Sequence, residues 1–274
     1  MKRNIIGRFA ISALLIAAPL STAFAADIAV PLPEPVAAFN WTGWYVGGNF
    51  GFGYGTNTGN GYSSFVDPGA PTGLGGVAAF FAAGGNVLPG VNPQGVIGGG
   101  QIGYDWQVSP LWVLGIVADV QASGMKASGY GTASIGAFTS ITESNSAQVD
   151  WFGTVRGKVG FAASNLLVYG TGGLAYGGVK ANTTFNDPSS GGGPSVFAGS
   201  SSLTNTGWAA GGGVEYALSR NWTIGTEYLY VDLGTISTTD TIVSGPKPWA
   251  NTFTSTSKFS DNIVRVFIDY KFGP

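Results

Sequence analysis

Nine ionisable side chains fall where strictly alternating stretches of the chain turn them to one common side: Asp105, Asp119, Glu215, Glu227 and Asp269 against Arg156, Lys158, Arg265 and Lys271. Two chemistries suit such a set. A pair of the carboxylates could serve as general acid and general base, or opposite charges could close on one another as ion pairs where water is scarce. Nearby cations would hold the carboxylates ionised, which disfavours the first. The 274-residue chain also contains no histidine and no cysteine. That removes the commonest catalytic base, disulfides, thiolate metal sites and thiol nucleophiles. Gly98, Gly100 and Gly103 spell the dinucleotide pattern G-x-G-x-x-G, but with 46 glycines such matches arise by chance, and no helical pattern follows them. No cofactor site is expected.

The elements that must position these charges are strands. In residues 111–121 one face carries Trp112, Leu114, Ile116, Ala118 and Val120, and the other Gly115, Asp119 and Gln121. In residues 263–272 one face is Val264, Val266, Ile268, Tyr270 and Phe272, opposite Arg265, Asp269 and Lys271. The same alternation marks residues 44–54, 96–107, 149–161, 208–218 and 222–231. An eighth stretch, 166–179, is so rich in glycine that its facing stays open. A closed sheet that is apolar outside and ionic inside belongs in a bilayer, and strands of about 9–13 residues suit a tilted crossing. The fold expected is therefore all-β, an eight-stranded antiparallel transmembrane β-barrel with four long extracellular loops and short periplasmic turns. Glu227 and Arg265 stand at similar heights on neighbouring strands, within cross-strand reach. Eight strands enclose a lumen that side chains fill, so the charges are expected to form a salt-bridge plug. A narrow gated pore is the alternative.

Composition agrees with an exported strand protein. Charged residues are 9% of the chain against a usual share of about 25%, yet no apolar run after residue 25 is long enough for a spanning helix. Lys2, Arg3 and Arg8, the apolar run 9–20 and the small-x-small site Ala23, Phe24, Ala25 predict a signal peptide over residues 1–25. Without it nine basic residues face fourteen acidic ones, a formal charge of −5, which argues against a nucleic-acid partner. Residues 26–40, with Pro31, Pro33 and Pro35, read as an extended periplasmic tail, leaving 41–272 as the barrel. The connections alternate between tight turns (108–110, 163–165, 219–221) and long polar segments (55–95, 122–148, 180–207, 232–262). Short turns lie in the periplasm and long loops outside. Aromatics then collect at both interfaces: Trp44, Trp106, Trp112, Phe161, Tyr216, Trp222 and Tyr270 near the turns, and Tyr54, Trp151, Tyr176, Trp208 and Tyr230 near the loops. Within the first loop, the apolar stretch 74–88 with Phe80 and Phe81 is either a partner or lipid contact or packs on its own loop. Haem or metal capture by loop tyrosines would have a thin ligand set without His or Cys.

Several segments resemble the small outer-membrane barrel proteins of alphaproteobacteria, a porin-family group related to the opacity-type and OmpA-like eight-stranded barrels. They are Trp41-Thr42-Gly43-Trp44-Tyr45-Val46-Gly47, Tyr169-Gly170-Thr171-Gly172-Gly173-Leu174-Ala175-Tyr176, Asn221-Trp222 with Glu227-Tyr228-Leu229-Tyr230-Val231-Asp232-Leu233-Gly234, and Asn262-Ile263-Val264-Arg265-Val266. The resemblance implies an integral protein of the outer membrane that serves envelope integrity and surface contact without one defined activity. It implies outer-membrane lipids and lipopolysaccharide around the wall, the barrel-assembly machinery as an insertion partner, and host or environmental ligands at the loops. Barrel enzymes of outer membranes rely on a histidine base, which this chain lacks, so catalysis is not expected. One departure is that Gly273 and Pro274 follow Phe272, where members usually end on the aromatic.

Overall fold

The computed structural model describes residues 39–55, 61–65, 91–135, 139–188, 194–245 and 252–272. The segment expected to be a signal peptide, most of the proline-rich tail, the Phe80–Phe81 stretch and Gly273-Pro274 lie outside them. Alternating apolar residues and turn signals yield β1 (Gly43–Gly55), β2 (Gly61–Phe65), β3 (Gln94–Gln107), β4 (Trp112–Ile135), β5 (Thr139–Ala163), β6 (Leu166–Asp187), β7 (Ser195–Ala217), β8 (Trp222–Ser244) and β9 (Thr252–Phe272). Eight of these are long, and each pairs antiparallel with its neighbours in the order β1-β3-β4-β5-β6-β7-β8-β9. β1 pairs back onto β9 and closes the ring. The short β2 adds to β9 beyond the end of β1, from Gly61 opposite Thr256 to Phe65 opposite Thr252. Closure brings β1 and β9 very near. A Cβ at Gly47 would fall 2.3 Å from the Ile268 carbonyl oxygen, so glycine is required there.

The facing follows the alternation. Trp44, Trp106, Trp112, Trp208 and Trp222 are exposed on the outer wall, as are Tyr54, Trp151 and Tyr270, while Tyr230 is partly covered against Trp208. β6, whose facing the sequence leaves open, turns Leu167, Tyr169, Thr171 and Ala175 inward and Leu166, Val168 and Leu174 outward.

The four long connections leave where expected, but the strands run on into three of them. β4 to β9 span 21–25 residues each, when about 9–11 suffice to cross a membrane. Above the outer aromatic ring the polarity of the wall reverses. Ser144, Ser146 and Gln148 face out, and Ala147, Val149, Val179, Leu233, Ile236 and Phe259 face in as one buried cluster with Ile97, Met125, Phe152, Leu229 and Ile263. Water surrounds this half of the barrel, so it buries apolar surface as a soluble barrel does. Bulges at the changeover reset which sequence positions point in. Asp150 is the extra residue between Val149 and Trp151, and Leu233 the extra one between Asp232 and Gly234. Gly234 takes φ +77°, and its N–H donates to Asp232 Oδ1 at 2.8 Å. Higher still, Glu143 and Asp240 are buried. Burial and the facing Asp240 push the Glu143 carboxyl up to about 8, and burial alone pushes Asp240 up to about 7.

Candidate functional site: the charged lumen

Inside the membrane-spanning half, β4, β5, β8 and β9 each contribute one charged side chain to a group at the axis. Asp119, Arg156, Glu227 and Arg265 meet there as a closed, alternating quartet. Arg156 Nη2 lies 2.8 Å from Asp119 Oδ2, and its Nη1 lies 2.8 Å from Glu227 Oε1. Arg265 Nη2 reaches Asp119 Oδ2 at 3.0 Å and Glu227 Oε2 at 2.6 Å. None of these four side chains is more than 3% exposed. Glu227 and Arg265 stand directly opposite in the β8–β9 ladder. Neutral donors add to the set: Thr154 Oγ1 donates to Asp119 at 2.9 Å and Tyr169 Oη to Glu227 at 3.2 Å. Two guanidinium forks between two carboxylates are the arrangement in which buried charges hold one another with no net charge left over.

A second group sits toward the periplasmic side. Lys158 Nζ contacts Asp105 Oδ2 at 2.7 Å and Glu215 Oε2 at 3.6 Å, and lies over the rings of Tyr45 and Tyr169 at 5.0 and 5.1 Å. Two of the nine charges stand apart from the ion pairs. Asp269 accepts from Gln101 Nε2 at 2.9 Å on each oxygen, a partner of neutral type that charge counting passes over. Lys271 donates to the Asn40 carbonyl and lies 4.8 Å over the Phe39 ring, drawn to the segment ahead of β1 that folds under the barrel. Five acids against four bases thus resolve into one neutral quartet, one lysine shared by two acids, and two residues with uncharged partners.

Apolar layers bracket the ionic band. Below it Trp41, Val113, Ala162, Leu167, Ala217 and Phe267 close the periplasmic end, with Phe39 against them. Above it lies the cluster of the outer half. The cavity left among Tyr45, Gln101, Val117, Arg156, Glu227 and Arg265 is about 10 Å³, room for about one water. Trp41, Val113 and Val117 also line the lumen, although no charge in the sequence marks them as inward. Gly98, Gly100 and Gly103 lie inside β3, where no helix follows to receive a phosphate.

The profile of the family described as "Outer membrane protein beta-barrel domain" matches residues 12–272. The "31 kDa outer-membrane immunogenic protein" of Brucella melitensis is 37% identical over 262 residues, covering 92% of this chain and 94% of its own; the protein of the same name from Brucella suis gives the same figures. The "22 kDa outer membrane protein" of Rhizobium leguminosarum is 34% identical over 136 residues, 49% of this chain and 52% of that one. Among solved structures, the outer membrane protein OprG of Pseudomonas aeruginosa aligns with TM-score 0.47 at 14% identity, covering 86% of this chain and 99% of its own.

Proposed function

Because this chain belongs to the outer-membrane β-barrel family, we propose that it acts as a closed wall element: a barrel that strengthens the outer membrane and holds a long extracellular rim for surface contact, with a lumen that does not conduct. The observation that carries this reading is the neutral ion quartet filling the axis between two apolar layers. A solute path would have to break paired charges in a site with room for about one water. The wall meets lipid with an apolar outer face, and in the cell the barrel-assembly machinery would assist closure of the β1–β9 seam. The alternative, a narrow channel for small solutes, would require the quartet to part.

The role in the envelope is tested in cells. Deleting the gene is expected to raise uptake of a bulky apolar dye and sensitivity to detergent, and the wild-type gene restores both. An unchanged barrier with slower growth on small solutes would favour the channel instead.

A further inference from the structure

Above the outer aromatic ring, the outward side chains of β4, β5 and β6 form three rows that climb away from the membrane. The ladders set Lys126 beside Gln148 and Gln148 beside Lys180. One step higher, Ser128, Ser146 and Asn182 are aligned, and above them Tyr130, Ser144 and Thr184. Each step along a strand is two residues, roughly 7 Å. The lowest row stands about one step above Trp151 and two above Tyr176, which pack edge to face at 6.0 Å. Lys180 Nζ holds Asp150 at 2.7 Å with its side chain still 48% exposed. Lys126 is exposed with a positive charge of its own, and the patch is net cationic. Lys258, the other described lysine above the ring, is bound to Asp232 at 3.0 Å. Over the upper rows runs a cleft of about 430 Å³ lined by hydroxyls, amides and the Tyr130 ring, which is 71% exposed; no charge and no aliphatic side chain lines it.

Lipid contact alone does not ask for this sequence of chemistries. Acyl chains suit the apolar wall at and below Trp151, an anionic group suits the lysine row at headgroup height, and neutral sugars suit hydroxyls, amides and an exposed aromatic face in the two rows above. A phospholipid headgroup would reach the first row and leave the other two uncovered. We propose that this face docks an outer-leaflet glycolipid of the lipopolysaccharide type, with its anionic lipid A headgroup on Lys126 and Lys180 and its inner saccharides in the cleft beside Tyr130 and Asn182. The proposal rests on the outward orientation of the barrel extensions, not on whether the lumen conducts.

The test uses the full barrel refolded in detergent, with rough lipopolysaccharide carrying a core oligosaccharide, diphosphorylated lipid A and phosphatidylglycerol as three titrants read by native mass spectrometry. Wild type is expected to bind them in that order of decreasing affinity. The variant K126A/K180A should lose about tenfold for the first two titrants. Y130A/N182A should weaken rough lipopolysaccharide alone, by about threefold to tenfold. Both variants alter exposed side chains, and the heat-dependent gel shift of a closed barrel checks that they fold. Equal binding of all three titrants by wild type, or unchanged lipid A affinity in K126A/K180A with a closed barrel, would overturn the proposal. Neither result would bear on conductance.

Discussion

Replacing Arg156 with alanine is expected to cost about 3–5 kcal/mol of barrel stability, the usual penalty for stranding a buried charge. Arg156 bridges Asp119 and Glu227 at 2.8 Å each, and its Nε also donates to Thr154 Oγ1 at 2.8 Å. Without it two carboxylates share the single guanidinium of Arg265 in a lumen closed toward each end by apolar side chains. The size of the loss comes from that leftover charge, not from the bonds counted one by one. A paired replacement separates the two. R156M/E227L removes one charge of each sign, leaves Asp119 with Arg265, and should lie within about 1 kcal/mol of wild type, since a neutral buried pair is often replaced by apolar groups without loss. Urea unfolding in lipid vesicles measures both. An R156A barrel as stable as wild type would mean that the lumen admits water to the quartet.

The outer half of the barrel carries the second large effect. Phe152 is 1% exposed and packs in the cluster that holds Met125, Leu229 and Leu233. Phe152→Ala should cost about 3–5 kcal/mol, as truncations of buried aromatics do. It should also speed amide exchange in β5 to β8 above the outer aromatic ring, because this cluster ties those strands together from inside. A cost below about 1 kcal/mol, with exchange unchanged, would mean that the extensions stand without an apolar core.

Sequence pattern and final structure agree best where one rule governs a whole strand. Glu227 and Arg265 could be set on one inner face by counting alternate residues, and the ladder places them opposite each other. The rule fails at the changeover of solvent. Residues 122–148 and 232–262 are rich in Ser, Thr and Gly and read as loops, because they lack the apolar–polar alternation of a wall facing lipid. In water the contrast is reversed, and small polar residues face out. Asp150 and Leu233 add a further break: each bulge shifts the parity by one, so Val149 and Val231 sit on continuous alternating runs that in fact cross a register change. No local signal marks Lys271 as separate from the other lumen charges. Its partners, Phe39 and Asn40, lie more than two hundred positions away and meet it only once the ring has closed.

The lumen is also more layered than a charge count implies. The same inner face passes from Trp41 and Leu167, through the quartet, to Phe152 and Leu233. Each layer blocks the axis by a different means, close packing or paired charge, so loss of one layer weakens the barrel before it opens a path. The R156A variant is therefore expected to be less stable and still closed.

Single-channel recording of the refolded wild-type barrel in planar bilayers bears most directly on that closure. A lumen filled by Asp119, Arg156, Glu227 and Arg265 between two apolar layers should give a silent membrane, with at most rare and brief openings. A wide, steady conductance from wild-type protein would contradict it.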